Sequence, residues 1–172
     1  FEESYGYLSG GYVEDKDAVD ASVLICEMAA WYRLQGKDLG QALDEMYQKF
    51  GRYLNKVDSY AFAGSDGMTK MAGILEALRA DPPRELGDRP ITYTADYHTG
   101  IRREGDRETR IPLPASNVLE YGVEGAGSVI VRPSGTEPKL KVYYSIKEAD
   151  LPRAEALWQE LKAAVESNLH LG

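Results

Sequence analysis

Apolar residues recur at helical spacing in four stretches of the chain and at strand spacing in a second set, most of it in the C-terminal half. Asp17 is placed to cap a helix running to about Leu34, whose apolar residues Val19, Val23, Ile25, Cys26, Ala29 and Ala30 spread widely around its circumference, the pattern of a buried helix. Asp38 precedes a second helix with Leu39, Leu43, Met46, Tyr47 and Phe50 on one stripe, and Gly51 is positioned to stop it. A strand-like Tyr60-Ala61-Phe62-Ala63 follows. A third helix then spans about Gly67 to Ala80, ended by Asp81-Pro82-Pro83. Ile91, Tyr93, Ala95 and Tyr97 alternate with polar residues as a half-buried strand. Val118 to Val123, Ser128 to Val131 and Leu140 to Ile146 complete a small sheet. The last helix follows Asp150 and Pro152, and its stripe of Ala154, Leu157, Trp158, Leu161, Val165 and Leu169 is suited to covering one sheet face. The charged stretch from Arg102 to Arg110, with Gly105 inside it, reads as a solvated turn.

Between Ala80 and Pro90 three prolines and several charges separate helix-rich from strand-rich sequence, which places a domain boundary there. The predicted domains are 1–84 and 85–172. The fold class is a helix-rich α/β partial domain followed by an α+β domain with a small, mainly antiparallel sheet covered by helices.

Composition narrows the chemistry. Hydrophobic content of 43% and charged content of 28% fit a globular protein, and the net charge of −8 argues against a broad nucleic-acid-binding or membrane-binding face. A small anion held in one basic pocket remains compatible. Cys26 is the only cysteine, so no internal disulfide can form, and its place in an apolar helix predicts a core thiol. There is no apolar run of membrane-spanning length and no signal-peptide pattern, so a cytoplasmic location is expected. His98 and His170 are far apart in sequence and are read as surface residues; no metal-ligand spacing is visible.

Against this acidic background, residues 132–147 carry four basic residues and one acidic residue. Arg132-Pro133-Ser134-Gly135-Thr136-Glu137-Pro138-Lys139 sits between two strand-like runs. Its prolines restrict the backbone and Gly135 permits positive φ, so successive N–H groups have a route to an anion-binding concavity. Ser134 and Thr136 add hydroxyl donors, Arg132 a planar fork, and Lys139 and Lys141 point charges. An ordinary proline-glycine hairpin turn with incidental charges accounts for the same residues. The spacing is not that of a nucleotide P-loop. At the other end, Phe1-Glu2-Glu3-Ser4-Tyr5-Gly6-Tyr7 places two carboxylates and a hydroxyl before a glycine-rich loop. Carboxylates accept well from sugar hydroxyls, although exposed terminal acids read the same way.

Taken together, the two segments resemble the C-terminal half of bacterial phosphoglucomutases and phosphomannomutases, of the α-D-phosphohexomutase superfamily. The likeness extends over essentially the whole chain. It includes Asp15-Lys16-Asp17 at the start of the first helix, the helix after Asp66-Gly67, and Leu113-Pro114-Ala115-Ser116-Asn117. Ala18 stands where the family usually has glycine.

The resemblance implies the latter part of the family's third domain followed by its fourth. By that likeness Glu2 and Ser4 match a loop contacting sugar hydroxyls, and Lys16 a basic residue pointing into the cleft. Arg132, Ser134, Gly135 and Thr136 match the phosphate-binding loop, and Lys141 a further basic contact. The implied reaction interconverts hexose 1-phosphate and hexose 6-phosphate through an enzyme phosphoserine and a bisphosphate intermediate. Glucose is favoured over mannose by the tyrosine-bearing motif.

The family's Ser-His-Asn-Pro and Asp-Gly-Asp loops have no counterpart in this sequence, so no catalytic residue and no metal ligand is expected here. The start at Phe1, inside a motif, suggests a fragment of a longer enzyme, inactive alone, whose missing N-terminal domains supply the serine and the Mg2+ site. Glucose 1,6-bisphosphate is the expected activator. Two other readings remain open: a stand-alone phosphosugar-binding or regulatory module, and a scaffold that no longer binds ligand.

Overall fold

The computed structural model describes residues 6–12, 14–135 and 137–169. The chain forms two compact units, Phe1–Phe50 and Gly51–Gly172. The boundary placed at 84/85 rests on the proline-rich stretch between Ala80 and Pro90. Within this chain the second unit begins at Gly51.

The first unit contains α1 (Ala18–Leu34) and α2 (Leu39–Phe50). α1 starts where Asp17 accepts hydrogen bonds from the N–H groups of Val19 and Asp20, satisfying donors that the first turn leaves open. α2 is entered by a reciprocal cap: the Asp38 carboxylate accepts from Gln41 N–H at 2.8 Å, and the Gln41 side chain accepts from Asp38 N–H at 2.9 Å. Gly51, at φ 86°, turns the chain out of it. The expectation of a buried first helix is corrected. Among its described residues α1 buries only Ala21, while Val19, Trp31 and Leu34 are exposed. Cys26 is exposed as well, not a core thiol. Apolar residues spread around a helix need cover on several sides, and a two-helix unit supplies at most one.

The second unit is a sheet with helices on one face. Its elements are β1 (Arg52–Ala61), α3 (Gly67–Ala80), β2 (Glu85–Leu86), β3 (Arg89–Asp96), β4 (Ile101–Glu104), β5 (Arg107–Arg110), β6 (Leu119–Val123), β7 (Gly127–Pro133), β8 (Lys139–Glu148) and α4 (Leu151–Asn168). The strands lie in the order β1-β8-β7-β6-β3-β4-β5, antiparallel throughout, with β2 beside β3. This is the α+β architecture expected of the C-terminal domain.

Alternation divides the sheet into two faces. Leu140, Val142, Tyr144 and Ile146 of β8 turn toward α3 and α4 and are buried, with Val129 and Val131 of β7 beside them. Met71 and Leu75 of α3 and Leu157 and Leu161 of α4 complete that core. The opposite face carries Lys141, Tyr143 and Ser145 of β8, all half-buried.

Two elements differ from the sequence reading. The strand expected at Tyr60-Ala63 is the end of a ten-residue strand, β1, paired along its whole length with β8. Its Lys56 and Asp58 face the helices: Lys56 Nζ lies 4.9 Å over the Trp158 ring and Lys162 Nζ is 3.1 Å from Asp58 Oδ1. Charges facing a covered surface hid the strand from its hydrophobic pattern. The Arg102 to Arg110 stretch, expected as a turn, is the β4–β5 hairpin, whose charged side chains stay in water while the backbone pairs.

Candidate functional site: a cationic hairpin end

β7 and β8 are joined by the turn that the sequence singled out. The last paired residues are Pro133 and Leu140, and just inside them Arg132 lies directly opposite Lys141. Ser134 N–H donates to Lys139 C=O at 2.7 Å, closing the turn, and Lys139 N–H donates to Glu137 C=O at 2.7 Å. A third strand holds it from the side, because Phe62 N–H, just beyond β1, donates to Pro138 C=O at 2.8 Å. The start of α3 packs into the same corner. A Cβ on Gly67 would stand 2.3 Å from Phe62 O and 3.2 Å from the Pro138 side chain, so only glycine fits there.

Gly135 departs from expectation. It is not among the positive-φ glycines, so the left-handed backbone that a glycine nest would use is absent at this residue. Apart from its chain neighbours, no described residue lies within 4 Å of where its Cβ would be. The missing side chain leaves that stretch of backbone open to approach.

The electrostatics are lopsided. Glu137 and Lys139 pair at 3.0 Å and neutralise one another. Arg132 is exposed and Lys141 half-buried, and neither has an ion-pair partner among the described residues. Like charges directly opposite on neighbouring strands destabilise a sheet, by up to about 1 kcal/mol. An anion between the two guanidinium and ammonium groups reverses the sign of that interaction, and charge-assisted hydrogen bonds from Arg and Lys are the strong kind.

Farther along the same open face a second polar group is already satisfied. Glu120 accepts from the hydroxyls of Tyr93 and Tyr97 at 2.7 Å each, and the Arg102 guanidinium lies 3.6 Å over the Tyr93 ring. Burial, with the Glu120 hydrogen bond second, pushes Tyr93 up to about 12. Tyr97 is raised by the Glu120 hydrogen bond first and burial second. With both cation and carboxylate engaged, this group offers an incoming anion little.

Lys16 is exposed in the first unit, immediately before the Asp17 cap, and its N–H donates to Asp15 Oδ1 at 2.7 Å. Glu2, Ser4 and Thr136 lie outside the described residues, as does His170. Of the turn's own candidates, the structure brings Arg132, Ser134, Gly135 and Lys141 together at one end of the sheet. Ser59 of β1, directly opposite Lys141, joins them there, a residue that sequence reasoning passed over. No signal inside its own segment reveals it, since its neighbour is set by long-range strand pairing.

Comparison with known proteins covers nearly the whole chain. Residues 102–163 match the model of the phosphoglucomutase/phosphomannomutase C-terminal domain. A phosphoglucomutase of Staphylococcus aureus (strain bovine RF122 / ET3-1) is 37% identical over 169 residues, covering 97% of this chain and 30% of that protein. The phosphoglucomutase of strain MRSA252 is 39% identical over 152 residues, covering 87% and 27%. The chain thus spans about 30% of the length of the curated relatives it matches. Among solved structures, the open form of parafusin, an exocytosis-sensitive phosphoprotein and phosphoglucomutase from Paramecium, shares the fold, with a TM-score of 0.58 at 18% identity over 96% of this chain and 29% of that one. The chain belongs to the phosphoglucomutase/phosphomannomutase family, whose C-terminal-domain model residues 102–163 match.

Proposed function

We propose that this chain is the substrate-binding C-terminal part of a phosphohexomutase that interconverts hexose 1-phosphate and hexose 6-phosphate, with glucose as the favoured sugar. The observation that carries the reading is the pair of cations Arg132 and Lys141, without an ion-pair partner among the described residues and directly opposite one another at the base of a turn fixed by Ser134 on one side and Phe62 on the other. A phosphate monoester carries a charge of about −1.5 to −2 at pH 7, which two cations match. Ser134, Gly135 and Thr136 would add donors from the turn, and Glu2 and Ser4, with Lys16 as a further base, would meet the sugar end.

In this role the turn holds the phosphate that is not reacting while the other end of the sugar meets the phosphorylated serine. Positioning and charge neutralisation are what a protein chiefly contributes to phosphoryl transfer. A site built from a guanidinium, an ammonium and hydroxyls commits to no covalent bond, so it accepts the 1-phosphate and the 6-phosphate in turn. Among the described residues no three His, Cys, Asp or Glu side chains gather, and this reading places the Mg2+ site outside the chain. Its ligands and the phosphoserine are assigned to other domains of a longer cytoplasmic protein, and glucose 1,6-bisphosphate is its expected activator. The chain alone is then inactive, and turnover by the purified chain free of host enzyme overturns that assignment.

Titrating glucose 1-phosphate into the wild type and Arg132→Ala tests the site. Removing a charged contact from a working phosphate site costs about 1.5–3 kcal/mol, so the variant should bind roughly tenfold or more weakly. Equal affinities would remove Arg132 from the site.

A further inference from the structure

The cationic hairpin end is built on three strands, not two. β1 runs along the outer side of β8, and its register places Ser59 directly opposite Lys141, which in turn faces Arg132 across the β7–β8 ladder. Residues directly opposite share a sheet face. Ser59, Lys141 and Arg132 therefore form one row on the face turned away from α3 and α4, at the strand ends nearest the turn.

Ser59 is exposed, and its hydroxyl has no hydrogen-bond partner among the described residues. Its neighbours on the same face of β1 are Val57 and Ala61, which have no side-chain hydrogen-bonding group, so the hydroxyl has only the Lys141 side of the sheet and solvent to address. A short side chain beside the long stem of Lys141 leaves a notch in the row. The register cannot slip easily. Ten residues of β1 are paired with β8, the Phe62 N–H is tied to Pro138, and Gly67 is wedged against the Phe62 carbonyl.

We propose that Ser59 is a further ligand-contacting residue of the anion site, donating its hydroxyl hydrogen to an oxygen of the phosphate group held by Arg132 and Lys141. The inference rests on the phosphate-site reading above and deepens it. A phosphate monoester has more acceptor positions than one guanidinium and one ammonium fill, and a neutral donor fills another without adding a third charge. Binding gains direction while release stays possible, which a site that must turn its ligand around requires.

The test titrates glucose 1-phosphate and, separately, inorganic phosphate into the wild type, Ser59→Ala, Ser59→Thr and Arg132→Ala, with thermal unfolding of each as the check on folding. Ser59→Ala should weaken both ligands about fivefold, the size of one net hydrogen bond, and Ser59→Thr, which keeps the hydroxyl, should stay close to wild type. Arg132→Ala should lose more than either. Wild-type affinity in Ser59→Ala alongside a weakened Arg132→Ala overturns the role of Ser59 and leaves the phosphate site standing. Loss of glucose 1-phosphate affinity with inorganic phosphate unchanged also overturns it, because the hydroxyl then meets the sugar. Failure of the wild type to bind either ligand, or equal affinities for wild type and Arg132→Ala, overturns the phosphate site and Ser59 with it.

Discussion

α1 and α4 are nearly equal in length and use opposite outlets for their apolar residues. α4 lays Ala154, Leu157, Leu161 and Val165 at helical spacing onto the sheet, and all four are buried. α1 leaves Leu34 at 90% and Val19 at 77% exposure. Hydrophobic content alone does not decide burial; a helix needs a surface of matching shape. The sheet gives α4 such a surface, and the alternation of β8 presents it with a continuous apolar strip. Among the described residues of the first unit the helix beside α1 is the twelve-residue α2, which has no buried residue of its own.

The same substitution in the two helices probes that contrast most strongly. Leu161→Ala, at a position 1% exposed, should cost about 2–5 kcal/mol in denaturant unfolding of the second unit. Leu34→Ala should stay within about 0.5 kcal/mol. Comparable costs would mean that α1 is covered after all, and the contrast between the units would collapse.

A smaller effect isolates the backbone order of the sheet. Gly127 opens β7 at φ 132°, and a Cβ there would stand 2.0 Å from Ser145 O of β8. Gly127→Ala should cost about 1–3 kcal/mol, read as a lowered midpoint in thermal unfolding. No loss would show that the β7–β8 ladder yields at this point.

Alkaline pH gives the mildest probe, acting on tyrosines that sit in the second unit. Burial raises Tyr60, Tyr121 and Tyr144 above the ordinary tyrosine value of about 10, as it raises Tyr93. A raised folded value means the neutral phenol is favoured by folding. That stability is whole below about pH 10 and, for Tyr93, is lost as pH rises through about 12. Unfolding free energy should decline across that interval, and Tyr93→Phe should make the decline shallower. A flat profile would place these hydroxyls in contact with solvent.

Much of the second unit is legible in the sequence because its signals agree. Asp81-Pro82-Pro83 stops α3 after Ala80, and the stripe from Ala154 to Leu169 on the last helix meets the sheet as expected. β1 escapes because Lys56 and Asp58 occupy positions that look outward but face Trp158 and Lys162. The charged hairpin escapes because strand pairing there satisfies backbone groups and buries almost nothing. α1 misleads in the opposite sense, since a wide apolar circumference states a need for cover and cannot say whether cover is present. For the site, Arg132 and Lys141 are conspicuous by composition. Their face-to-face register follows only once the turn closes through Ser134 and Lys139, and Ser59 enters only through the pairing of distant segments.

The far end of the sheet also acts through what it refuses. β5 is Arg107-Glu108-Thr109-Arg110, with every residue exposed and Arg103 Nε of β4 held 2.6 Å from Glu108 Oε1. A strand from another molecule that tried to extend the ladder here would have to dehydrate two guanidinium groups and break that pair before gaining a backbone hydrogen bond. The hairpin therefore serves as a terminator for strand polymerisation: this edge can be wetted but not templated.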